Sequence, residues 1–123
     1  MTTNILIKVE DIELKGELTD TSCAKSIAEK LPIETEFQVW GDEFYFPVGV
    51  DMFLDDTSKA KVSVGTIGYW PPGQAMAIFF GPTPASDDDE PVAASEVNII
   101  GKVEDAQRLK KVKDAGKIRV EPQ

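Results

Sequence analysis

GYWPPGQAMAIFFGPTP, residues 68–84, is the stretch on which the fold turns. Pro71, Pro72 and Gly73 form a stiff turn, because proline presets φ and glycine tolerates conformations closed to other residues. On either side lie short apolar runs, VSVGTIGYW (62–70) and AMAIFF (75–80), and together the two read as a β-hairpin. Gly65 and Gly68 inside the first arm mark a bulge or tight bend. Successive strand residues point to opposite faces. Tyr69 and Trp70 therefore cannot share a face, and neither can Phe79 and Phe80. At least one of each pair is expected to face outward or into a groove.

Working outward, the same period-two signal recurs. NILIKVE (4–10) and IELKGEL (12–18) read as strands joined tightly at Asp11. In TDTSCAKSIAEKLP, Thr19, Asp20 and Thr21 offer cap oxygens. Ala24, Ile27, Ala28 and Leu31 then fall on one helix face, and Pro32 stops the helix. IETEFQVWGDEFYFPV (33–48) alternates again, with Ile33, Thr35, Phe37 and Val39 set to one side. Its Gly41–Asp42 pair predicts a hairpin turn. Residues 49–61 read as a connection whose Met52, Phe53 and Leu54 should pack. Residues 82–91 form a polar, proline-bracketed loop, and EVNIIGKVE (96–104) is a strand. DAQRLKKVKDAG (105–116) predicts a helix with Ala106, Leu109 and Val112 along one face, and KIRVE (117–121) is a last strand. The sum is eight short strands and two short helices in a single domain over residues 1–123. Many turn-bounded strands with capping helices favour a mainly β, closed eight-stranded antiparallel barrel.

Composition narrows the function classes. A chain of 123 residues supports one core, burying roughly two-thirds of its unfolded surface. With 13 basic and 22 acidic side chains it carries a net charge of −9. Such a chain repels phosphate backbones and anionic membranes, so no nucleic-acid or membrane partner is expected. Nothing in the sequence is long and apolar enough for a transmembrane helix. MTTNILIKVED lacks the basic-then-apolar order of a secretory signal. With Cys23 alone, no internal disulfide can form, and a reducing, cytoplasmic setting is expected. There is no histidine, so Ser-His and Cys-His nucleophile pairs and histidine zinc sites are excluded, and no metal or cofactor is expected. SDDDE (86–90) has oxygen ligands but lacks the spacing of a calcium loop.

The block YWPPGQAMAIFFGPTP, with EFYFPVGVDM before it and VNIIGKVED after it, resembles a family of small bacterial and archaeal cyclophilin-like proteins of unknown function. The resemblance spans nearly the whole chain. It implies an eight-stranded, mostly antiparallel barrel with a helix at each end. It also implies kinship with peptidyl-prolyl isomerases, which set a strand arginine beside a groove of Phe, Met, Gln, Trp and His. The barrier such an enzyme lowers is about 18–20 kcal/mol. The strand that would carry the arginine is EFYFPV, which offers Glu43 and Tyr45 instead. The only arginines are Arg108 and Arg119, and the groove histidine is missing.

These observations select candidate residues. Glu43 and Tyr45 share one strand face, and there Glu43 would hold a cationic or amine-bearing ligand or serve as a catalytic base. Tyr69, Trp70 and Phe80 are candidates as groove aromatics. Gln74, after the proline turn, could orient a peptide through its amide. The favoured reading is a binding domain whose aromatic groove takes a small organic ligand or a short, proline-containing peptide without efficient isomerase activity. The alternative is a divergent prolyl isomerase, or another enzyme centred on Glu43. A third reading is an interaction domain that forms a homodimer through an exposed strand edge.

Overall fold

A computed structural model describes residues 2–123. Strands β1 (Thr3–Val9) and β2 (Ile12–Leu18) pair antiparallel from Thr3 opposite Leu18 to Val9 opposite Ile12. Their alternate residues Ile5, Ile7, Val9, Ile12, Leu14 and Leu18 are buried, which is the one-sided pattern the sequence predicts. Helix α1 (Ser22–Ala28) follows. Its first turn is capped by Thr21, whose hydroxyl accepts from the Ala24 N–H at 3.2 Å. Cys23, Ala24 and Ile27 are its buried side, so Cys23 packs as a small hydrophobe.

The remaining strands are β3 (Ile33–Glu36), β4 (Gln38–Val39), β5 (Glu43–Pro47), β6 (Lys59–Lys61), β7 (Thr66–Trp70), β8 (Ala75–Phe79), β9 (Val92–Val103) and β10 (Lys117–Pro122). They order as β3-β10-β1-β2-β9-β7-β8-β5-β4, every pair antiparallel, with β6 joined to β9 alone. The architecture is mainly β with two helical segments. The expected closed eight-stranded barrel is corrected: the sheet has ten strands, and no ladder joins the ends of its path. Those ends, β3 and β4, are consecutive in the chain with only Phe37 between them. The Phe37 N–H donates to the Gly116 carbonyl, and its buried ring stacks on Phe44 at 4.0 Å. That anchor breaks the single arm expected over 33–40 into two pieces, and Val39 turns outward instead of inward.

Four further segments differ from expectation. Strand β6 lies inside the expected connection, and β9 begins four residues early, at Val92. Residues 62–65 form a turn rather than the start of β7, with Gly65 at φ +96°. The C-terminal helix is a 3-10 helix over Ala106–Val112. Its buried residues Ala106, Leu109 and Val112 are spaced by three, the period that sets a 3-10 helix, not an α-helix, on one buried line.

The long β9 gives the molecule its second layer. One face of β5, β7 and β8 packs into the main core through Phe44, Phe46, Ile67, Tyr69, Met76 and Ile78. The opposite face is covered by a smaller cluster of Val62, Ala77, Phe79, Ala93 and Val97, flanked by Tyr45, Trp70 and Ile99. The layers come close at Gly68, where an added Cβ would lie 2.7 Å from a Val97 methyl. The β7–β9 register shifts between Ile67 and Gly68, so this glycine does mark an irregularity. Strand β8 is thus buried on both sides. Phe79 and Phe80 are 0% and 1% exposed, one in each cluster, which overturns the expectation that one of them faces outward. No helix among the described residues is long and apolar enough to cross a membrane.

Candidate functional site

Where the covering layer stops, a pocket of about 160 Å³ remains on the outer face of the sheet. Strand β5 supplies Glu43 and Tyr45, two residues apart on one face. Trp70 comes from the end of β7, Trp40 from the turn before β5, and Ala93 and Ala94 from the start of β9. Register explains the convergence. Tyr45 lies opposite Ala77 and Trp70 opposite Ala75 on the intervening β8, and two methyl groups leave room above that strand. The Tyr45 and Trp70 rings meet across it edge to face, with centroids 6.0 Å apart at 66°. Trp70 is held further by its indole N–H, which donates to Ser95 Oγ at 2.7 Å. Its six-membered ring lies within 3.0 Å of where a Cβ on Gly73 would be, so the Pro71–Gly73 turn walls it closely.

Glu43 is the one carboxylate in a lining that holds no amine, and it is 7% exposed. Its carboxyl makes no hydrogen bond or ion pair among the described residues. No fully buried side-chain polar atom there lacks a partner, so the Glu43 oxygens must reach accessible surface, and the pocket supplies it. Burial raises its pKa from 4.5 to about 8. At neutral pH the group is mostly an uncharged carboxylic acid, able to donate one hydrogen bond and accept others. The neighbouring Asp42 is ion-paired, facing Lys113 at 2.5 Å and Lys110 at 3.7 Å.

Of the six residues the sequence nominates, the pocket unites Glu43, Tyr45 and Trp70. The face argument for Tyr69 and Trp70 resolves with Trp70 outward and Tyr69 fully buried. The Tyr69 hydroxyl donates to the Val50 carbonyl at 2.5 Å and accepts from the Met52 N–H at 3.1 Å, so its polar end fastens the 49–58 connection. Phe80 lies in the main core, edge-on to Phe44 at 4.7 Å. Gln74 is exposed and left-handed at φ 46°, closing the proline turn through its backbone. Neither Phe80 nor Gln74 lines the pocket. Trp40 does, although it is not among the residues the sequence nominates. Its one available signal is position: it stands across the Gly41–Asp42 turn from Glu43, and its N–H donates to the Glu43 carbonyl at 3.0 Å. Ala93 and Ala94 carry no comparable signal.

The arginines are elsewhere. Arg119 on β10 pairs with Glu121 and Glu34, and Arg108 is exposed on the 3-10 helix. The 86–90 acids are also accounted for in part, with Asp88 paired to Lys61 at 3.2 Å. Among the described residues no group of three metal-binding side chains exists.

Comparison with known proteins agrees with this architecture. The family described as cyclophilin-like matches residues 3–121. The chain belongs to the cyclophilin-like family. A solved relative is the hypothetical protein AF2241 from Archaeoglobus fulgidus, known from a solution structure. It is 37% identical, the alignment covers 98% of this chain and 95% of that one, and the TM-score is 0.81. No curated protein matches the chain.

Proposed function

We propose that this cyclophilin-like domain is a binding module whose Trp40–Glu43–Tyr45–Trp70 pocket takes a small organic group, free or as part of a short peptide, without efficient prolyl isomerisation. One observation carries the reading. A carboxyl group nine-tenths buried beside three aromatic side chains makes no hydrogen bond or ion pair among the described residues. Its oxygens open only onto the pocket, so a ligand seated there would supply the partner that the described residues do not. Pockets of this make-up, apolar walls with one convergent polar group, are the usual form of small-molecule sites. Apolar cavities of roughly 150 Å³ take benzene-sized guests, so the enclosed part of the ligand is compact. Against isomerase chemistry stands the absence of any cationic donor in the lining, since no lysine or arginine contributes to it. A fold shared with isomerases does not carry their activity.

Glu43 itself favours one second reading. A carboxyl whose pKa is near 8 is poised for proton transfer close to neutral pH, as a general acid or base should be. Calorimetry with a panel of small organic fragments and Xaa-Pro peptides tests both. Binding should weaken at least about tenfold in Tyr45→Ala and Trp70→Ala, with the fold retained. Peptide cis/trans exchange should stay at its uncatalysed rate. Fragments that bind these variants as tightly as the parent would refute the pocket. Accelerated exchange that disappears in Glu43→Gln would establish the enzyme reading instead.

A further inference from the structure

We infer that the pocket selects a compact organic monocation, an ammonium head group such as a protonated or methylated amine. The inference rests on the pocket being the ligand site, and it names the class of ligand. The lining holds one carboxyl and three aromatic side chains, Trp40, Tyr45 and Trp70, with only alanine methyl groups besides. Aromatic rings attract cations through their quadrupoles, tryptophan most strongly, and desolvation strengthens the attraction. A carboxylate in the same partly desolvated pocket supplies a full negative charge, and a charge pair there is worth more than in bulk water.

The alternatives fit less well. An anionic ligand would meet ring faces of the wrong sign, an acid that cannot neutralise it, and a chain of net charge −9. A metal ion would find a single carboxyl where calcium or magnesium needs six or more oxygen ligands. A neutral guest would leave the carboxyl with at best a hydrogen-bonding partner and would make no use of the aromatic faces beyond contact. No cation of the chain already fills the role. Lys110 and Lys113, which reach the adjacent Asp42, are paired with it.

Burial alone keeps Glu43 protonated. The side chains facing it across the pocket from the preceding turn, β5, β7 and β9 are Trp40, Tyr45, Trp70, Ala93 and Ala94, and on β8 its register partner is Phe79. None of these is a carboxylate or an amine. A bound cation therefore supplies the charge partner that the chain withholds. The Glu43 O–H bond breaks, its proton passes to solvent buffer, and the carboxylate pairs with the ligand. Cation binding at neutral pH should release up to one proton.

The test compares choline with 3,3-dimethylbutan-1-ol, its uncharged isostere, by calorimetry in buffers of different ionisation enthalpy. Choline should bind at least about tenfold more tightly, with buffer-dependent heat reporting proton release. Glu43→Gln, which stays folded, should erase most of the preference and all of the proton release. Tyr45→Leu, which keeps bulk without the ring quadrupole, should reduce the preference while proton release persists. Equal or tighter binding of the neutral isostere overturns the ammonium assignment and leaves the pocket standing. So does failure of choline to bind while uncharged fragments perturb Trp40 and Trp70. If no fragment of either kind binds there, the pocket reading and the ammonium assignment both fall.

Discussion

Replacing Glu43 by glutamine should stabilise this protein, and the gain should grow with pH. In the unfolded chain the carboxyl ionises near 4.5; in the native pocket burial holds it protonated to about 8. Between those values the native state binds a proton that the unfolded state has released, so unfolding stability must fall as pH rises. The stability associated with the neutral acid is fully present below 4.5 and lost as pH passes through about 8. Each pH unit in that window is worth about 1.4 kcal/mol. Glutamine has nearly the same shape and no charge, so E43Q lacks the slope. All other carboxylates titrate alike in the two proteins and cancel. The stability gap, E43Q minus parent, should therefore widen by about 4 kcal/mol from pH 5 to pH 9. That is a large fraction of the 5–15 kcal/mol typical of a domain. Urea unfolding of both proteins across this range, followed by far-ultraviolet circular dichroism, measures the gap. A gap that stays constant would show that Glu43 ionises as freely in the native state as in the unfolded one, and the enclosed carboxyl would be refuted.

Phe79→Ala and Phe80→Ala should each cost about 3–5 kcal/mol, because both rings are fully buried though on opposite faces. Thermal unfolding would expose the error if either variant matched the parent. Tyr69→Phe should cost about 1–3 kcal/mol by leaving the Val50 carbonyl and Met52 N–H without the phenol. Hydrogen exchange at Met52 should accelerate while affinity at the pocket is unchanged. Gly68→Val should destabilise by at least about 1–3 kcal/mol, since even one added carbon would lie 2.7 Å from Val97. Asp42→Asn should cost no more than about 1 kcal/mol, as its partners Lys110 and Lys113 are 51% and 36% exposed.

What could be read from the sequence was what depends on near neighbours. The 68–84 hairpin, the β1–β2 pair, the Thr21 cap and the shared face of Glu43 and Tyr45 all follow from turn chemistry and period-two alternation. A helix with Ala106, Leu109 and Val112 on its buried side was legible too, though its 3-10 form was not. What could not be read depends on distant segments. Phe79 is buried as well as Phe80 because Val62 and residues of β9, remote in sequence, roof the second face of β8. Alternation says that two residues face opposite ways; it does not say whether one of those ways is solvent. The same roof decides the pocket, whose far wall is an Ala-Ala pair with no chemical signature. Phe53 shows the limit from the other side. Apolarity predicts that it packs, yet it is 92% exposed, because Asn98 accepts from the Asp55 N–H at 2.7 Å and donates to the Phe53 carbonyl at 2.9 Å, holding the backbone there and leaving the ring outside.

The chain's two tryptophans both line the pocket, which makes the most direct test of the account a simple one. In a proton–nitrogen correlation spectrum their indole N–H groups give two signals in an otherwise empty region. Titration with small ammonium and aromatic fragments should move both, together with the backbone signals of Glu43 and Tyr45, and leave α1 and the β1–β2 pair unmoved. Fragments that shift other regions while both indoles stay fixed would place the binding surface elsewhere and contradict the central claim.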